Sequence, residues 1–122
     1  MKSVFDNKKV DLALKRVYIF KNSAEISIEQ CEKLVKLLSS GKLVDGDRNI
    51  TSDLLVKQEG LTGILVNEYI LQCHKAIREI EKHSIKNHTA TIEHINNERD
   101  EIVNKWKQFM FTIGKYKEDM SR

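Results

Sequence analysis

Apolar residues recur along this chain three and four residues apart, the spacing of one helix face, and the interruptions divide the pattern into five predicted helices. In the first, Val10, Leu14, Val17 and Tyr18 share a face that Leu12 and Phe20 widen, with Asp6 placed to cap the start. The second opens at "SIEQ", where Ser27 and Gln30 have the spacing of a capping box and Ile26 the staple position before it. Cys31, Leu34, Val35 and Leu38 continue it at i, i+3, i+4 and i+7 until Gly41, which suits the left-handed residue after a helix end.

Residues 41–50 read as a turn-rich loop. A short third helix, "TSDLLVKQ", stops at Gly60, and a fourth from about Thr62 to His83 carries Leu65, Val66, Tyr69, Ile70, Cys73, Ile77 and Ile80 on its inner face. The polar stretch "SIKNHTA" reads as a connection. A fifth helix from about Thr91 to Thr112 presents Ile92, Ile95, Ile102, Trp106, Phe109 and Ile113, with Arg99 interrupting the face. The charged residues after Gly114 are predicted to fray. The expectation is one all-α domain over residues 1–122, a compact bundle of about five helices ordered over about 6–113, with tail 114–122. No internal repeat stands out.

Composition agrees with this reading. The 122 residues are 40% hydrophobic, enough for a core, and contain no proline and five glycines, too few turn formers for a β-rich domain. A net charge of +3 permits acidic partners without demanding nucleic acid. Cys31 and Cys73 sit in apolar helical patterns and read as buried, reduced core residues of an intracellular protein. The N-terminus lacks a signal-peptide apolar stretch, and no run is long enough for a membrane span.

Candidate chemistry is sparse. Asp45, Asp47 and Asn49 in "LVDGDRNITSDLL" alternate like the first ligands of a calcium loop. Such a loop needs glycine, an apolar residue and glutamate at positions six, eight and twelve, which here hold Ile50, Ser52 and Val56. The stretch reads instead as a hydrophilic loop, with Asn49 or Thr51 capping the next helix. His74, His83, His88 and His94 are spaced 9, 5 and 6 apart, and none forms the i, i+4 pair of a helical zinc site. Cys73 and His74 are helix neighbours pointing about 100° apart. No nucleophile elbow or phosphate loop is present, and Gly60 and Gly63 read as punctuation between helices. The sequence therefore predicts no enzyme, no metal and no cofactor. Lys105, Lys107, Lys115 and Lys117 surround Trp106, but Trp106 lies on the apolar stripe and reads as core, so direct nucleic-acid binding is not the favoured reading.

Two pieces, "ITSDLLVKQEGLTGILVNEY" and "IVNKWKQFM", resemble the N-terminal domain family of transcription elongation factor S-II. The matching signals are Ile50-Thr51 with Leu55; Gly63, Val66, Asn67 and Tyr69; and Lys105, Trp106, Lys107 and Phe109. "SIEQCEKLVKLL" is similar to the family's second helix, and the likeness spans roughly residues 10–111. Departures are "ILQCH" in place of a basic run and longer stretches at 41–49 and 74–95. The resemblance implies a nuclear, non-enzymatic five-helix scaffold that docks short disordered motifs of transcription and chromatin proteins. It places the docking site at two connections, with Ile26 in the first and Lys82, Ile85 and Lys86 in the second. On physical grounds Ile26 and Ile85 could form a small apolar notch flanked by lysines; equally, Ile26 could staple a helix and Ile85 cap the core. The module is expected to be a monomer. The competing classes are a self-associating structural or chaperone-like bundle, bacterial or viral, and a small nucleic-acid-binding domain.

Overall fold

The computed structural model describes residues 8–83 and 88–120, and Asp6, the expected first cap, lies outside them. The described chain is a bundle of three long helices, α1 (Lys8–Ser39), α2 (Asp45–Lys82) and α3 (His88–Met120). The all-α class holds, and the count of five does not. Predicted helices one and two are a single α1, which passes through Asn22 and Ser23 without a break. Ser27 is no cap but a buried residue in the middle of the helix. The propensity cost of two weak helix formers is a few tenths of a kcal/mol each, and packing of Val17 before them and of Ala24 and Ile28 after them overrides it.

Predicted helices three and four are likewise one α2. Gly60 and Gly63 lie inside it, each costing roughly 1 kcal/mol relative to alanine. Buried Leu55, Thr62 and Val66 anchor the helix across that point. The start of α2 also moves upstream. Val44 occupies the cap position with no side-chain cap bond, and Asp45 and Asp47 sit in the first turn, where carboxylates oppose the positive end of the helix dipole. Thr51 caps nothing: it is buried, and its hydroxyl donates to the Asp47 carbonyl at 2.8 Å. At the far end α3 runs through Gly114 to Met120 instead of stopping near residue 113. The turn between α1 and α2 is as expected, with Gly41 at φ 71° just past the end of α1.

The helices run up, down and up. Ser27 of α1 meets Thr62 of α2, while Trp106 and Lys117 of α3 meet Gly63 and Glu59 of α2. A seven-residue period organises the core. On α1 the buried residues Val10, Val17, Ala24, Cys31 and Leu38 are each seven apart. Leu55, Thr62, Tyr69 and Ala76 repeat likewise on α2, as do Ile95, Ile102 and Phe109 on α3. A period of 3.5 keeps a seam facing its partner along long helices that wind about one another. Tyr18 and Leu12, assigned to the inner face from sequence, are exposed, and Ala13 takes that place.

Two core clusters result, one around Val10, Ile28, Tyr69 and Ile80 and one around Cys31, Leu38, Leu55, Phe109 and Ile113. Trp106 is partly buried, packs against both, stacks on Phe109 with ring centres 5.4 Å apart, and covers Gly63. Between α1 and α2 the core holds a polar layer. Gln58 Nε2 donates to Ser27 Oγ at 2.8 Å, and Thr62 Oγ1 donates to the Gln58 carbonyl at 2.7 Å. That leaves the Ser27 hydroxyl to donate to Thr62, which also receives the Cys31 thiol at 3.3 Å.

Thr62→Val keeps the shape but strands the Ser27 and Cys31 donors, and is expected to cost about 1–3 kcal/mol in urea unfolding. Adding Ser27→Ala to it should cost clearly less than the two single changes summed, by at least about 0.5 kcal/mol. Additive losses would show that the layer is not coupled. Trp106→Ala is expected to cost about 3 kcal/mol, the lower end for a large ring because this one is partly exposed. A loss below about 1 kcal/mol would mean that the ring bridges nothing.

Candidate interaction surface

Of the residues assigned to partner docking from sequence, Ile26 and Lys82 are described and lie far apart. Ile26 lies in the middle of α1, not in a loop, and is 56% exposed. It is level with Thr62, because the adjacent Ser27 bonds there. Lys82 ends α2 twenty residues further on, roughly 30 Å away at the helical rise. Ile85 and Lys86 lie outside the described residues.

The other sequence candidates have structural roles. Asp45, Asp47 and Asn49 are helical, so successive members point about 200° apart and cannot converge on one ion. Among the described residues no three His, Cys, Asp or Glu side chains cluster as metal ligands. His94 Nε2 lies 3.4 Å from Glu98 Oε1, and His83 Nε2 lies 3.3 Å from Glu79 Oε2. Glu98 also accepts from Lys21 Nζ at 2.9 Å, tying α3 to α1 and raising the Lys21 ammonium above its ordinary pKa. Lys117 pairs with Glu59 at 3.1 Å and ties the end of α3 to α2. Among the described residues no helix is long and apolar enough to cross a membrane.

Cys31 and Cys73 are buried and unpaired. Thr62 is level with Cys31, and Cys73 lies eleven residues beyond it, roughly 16 Å along α2. Burial pushes both thiols above their ordinary pKa, so neither supplies a thiolate near neutral pH. Burial likewise pushes up the phenol of Tyr69, with the Cys73 thiol beside it.

What remains distinctive is on the surface. Eleven large apolar side chains of α1 and α2 are exposed, and nine share one face: Leu12, Ile19, Ile26 and Leu37 of α1 with Ile50, Leu54, Leu61, Ile64 and Leu71 of α2. They are not scattered, as single exposed apolar residues usually are. Leu12, Ile19 and Ile26 are seven apart, as are Leu54 and Leu61, and Ile64 and Leu71. At about 100° per residue this row lies roughly 150° around each helix from the residues that meet α3, such as Lys21, Val35 and Glu59. Among the described residues the α1/α2 pair is thus covered by α3 on one side and by no element on the other.

The uncovered side is concave. At one end a groove of about 370 Å³ runs between Leu34 and Leu37 of α1 and Leu54 and Gln58 of α2. At the other end a groove joins Leu12, Ala13 and Arg16 to Gln72, Lys75 and Arg78. The helix pairing lines up the positions between them, Ile26 with Leu61 and Ile64, and Ile19 with Leu71. Sequence reading missed this surface. The available signal was the seven-residue spacing of a second apolar row, offset from the core row and hidden by the cut of α1 and α2 into shorter helices. Comparison with known proteins finds no match: no protein-family model matches the chain, and neither a curated protein nor a solved structure does.

A disulfide reagent at pH 8 is expected to leave Cys31 and Cys73 unmodified in the native protein and to titrate both in urea. Fast reaction of either thiol without denaturant would show that its segment of the core opens readily.

Proposed function

We propose that this chain is a non-enzymatic protein-interaction scaffold that carries its partner on the α1/α2 face opposite α3. The observation behind this reading is the concentration of nine exposed apolar residues on that one face, along the groove between two helices. Larger exposed apolar patches rimmed by charge mark interaction sites, because covering them releases ordered water at roughly 25 cal/mol per Å². Placement of the scaffold in the transcription-elongation machinery rests on the motif resemblance alone. A partner there would be a segment of a transcription or chromatin protein.

Site-specific photo-crosslinking in the source cells tests the reading. A benzophenone amino acid at position 26 or 61 is expected to yield adducts with a defined second polypeptide, and the same group at exposed position 111 of α3 is expected not to. Absence of adducts at 26 and 61 defeats the reading. Adducts with a second copy of this chain would replace it with a self-assembling bundle.

A further inference from the structure

We propose that the occupant of the α1/α2 face is an acidic amphipathic helix of a partner protein, laid along the groove as the fourth helix of the bundle. The proposal rests on the docking reading above and adds the shape and charge of what docks.

Shape comes from the spacing of the apolar rungs. Leu37 with Leu54, Ile26 with Leu61, and Ile19 with Leu71 succeed one another at seven to eleven residues along α1 and at seven to ten along α2. Seven residues are about 10.5 Å of helix. Within each row the repeat is seven residues, in Leu12, Ile19 and Ile26 of α1 and in Leu54 and Leu61, and Ile64 and Leu71, of α2, the interval at which an amphipathic helix with its own heptad repeat presents apolar pairs. From Leu37 to Leu12 the face is roughly 38 Å long, enough for about 25 helical residues.

Charge comes from the residues between the rungs. The same face of α1 and α2 carries more cations, Lys9, Arg16, Lys33, Lys57, Lys75 and Arg78 among them, than carboxylates, which are Asp47, Asp53, Glu68 and Glu79. Glu68 already accepts from Gln72 at 3.0 Å. Among the described residues, Arg16, Lys33, Lys57, Lys75 and Arg78 have no carboxylate partner. Glu79, at the edge of the basic end, faces His83 instead. Basic side chains between apolar rungs match glutamates flanking the apolar seam of a docked helix, which would speed encounter and fix register. A second copy of this chain would set one basic face on another, and a flat lipid surface would leave the groove between the helices unfilled.

The test uses the full chain and a synthetic 25-residue peptide with leucine at the two core positions of each heptad and glutamate at the flanking ones. Binding is followed by fluorescence anisotropy. The expected result is saturable binding with peptide helicity rising on mixing, weakened at least tenfold by raising salt from 0.05 to 0.5 M (a range of about 14 to 4 Å in screening length). The variant Arg16→Glu/Lys33→Glu/Lys57→Glu/Lys75→Glu, checked as helical by circular dichroism, should lose at least tenfold in affinity. A peptide with lysine in place of glutamate should not bind. Equal binding of the lysine peptide, or unchanged affinity in the charge-reversed variant, overturns the acidic assignment while the docking reading stands on its crosslinks. Binding to vesicles of phosphatidylglycerol but not to the acidic peptide overturns it in favour of a lipid surface. Dimerisation in sedimentation that blocks the peptide and is lost in Ile26→Ser/Leu61→Ser overturns it in favour of a second copy.

Discussion

Ser27 and Thr62 share a hydroxyl hydrogen in the middle of the seam between α1 and α2, with Gln58 closing the network from one side and Cys31 from another. Two long helices with apolar seams can slide past one another by a heptad with little loss of hydrophobic contact. A buried polar layer removes that freedom, because a slip leaves its donors and acceptors without partners, at about 1–3 kcal/mol for each stranded group. Fixing register is the best-attested use of such layers in coiled bundles. Once Ser27 is level with Thr62, the height of every other residue on both helices follows, including Ile26 beside Leu61 and Leu37 beside Leu54.

The composition of that seam explains why the bundle is uneven. Ala13, Ala24 and Ala76 are buried at or beside it, so α1 and α2 approach closely and leave little volume to fill between them. The larger side chains, Ile95, Ile102, Trp106 and Phe109, come from α3 and fill one flank of the pair. Among the described residues the opposite flank receives no such cover. Its apolar rows are therefore left in solvent by the architecture, not by local unfolding or by a frayed end.

Much of the core was legible in the sequence because burial follows the helical period regardless of where a helix is thought to begin. Cys31, Leu38, Val66, Tyr69, Cys73, Ile80, Ile95, Ile102, Phe109 and Ile113 are buried as the spacing predicts. Element ends were not legible where local signals conflict with packing. Ser27 and Gln30 have the spacing of a capping box, yet Ser27 is a tertiary hydrogen-bond residue. Gly60 looks like a stop, yet Leu55 and Thr62 hold the helix through it. The candidate surface suffered most from those false ends. Ile26, read as part of a loop, had no row to belong to. Once α1 is continuous, it is the third member of a series that begins at Leu12 and passes through Ile19.

The exposed rows are not something the fold requires. An apolar side chain that stays in water in the folded state gains little over the unfolded chain, so Ile19, Ile26, Leu61 and Ile64 contribute little of the burial that stabilises the bundle. They carry a cost instead, since a contiguous apolar face promotes nonspecific association. Glutamine or lysine at these positions would preserve helix propensity and remove that hazard. The cations placed among the rungs offset the hazard in part, because two such faces repel one another. The same cations favour a helix of opposite charge. Apolar rungs that the core does not use, set between like charges that discourage self-pairing, form a surface whose physical chemistry is satisfied only when a complementary helix covers it.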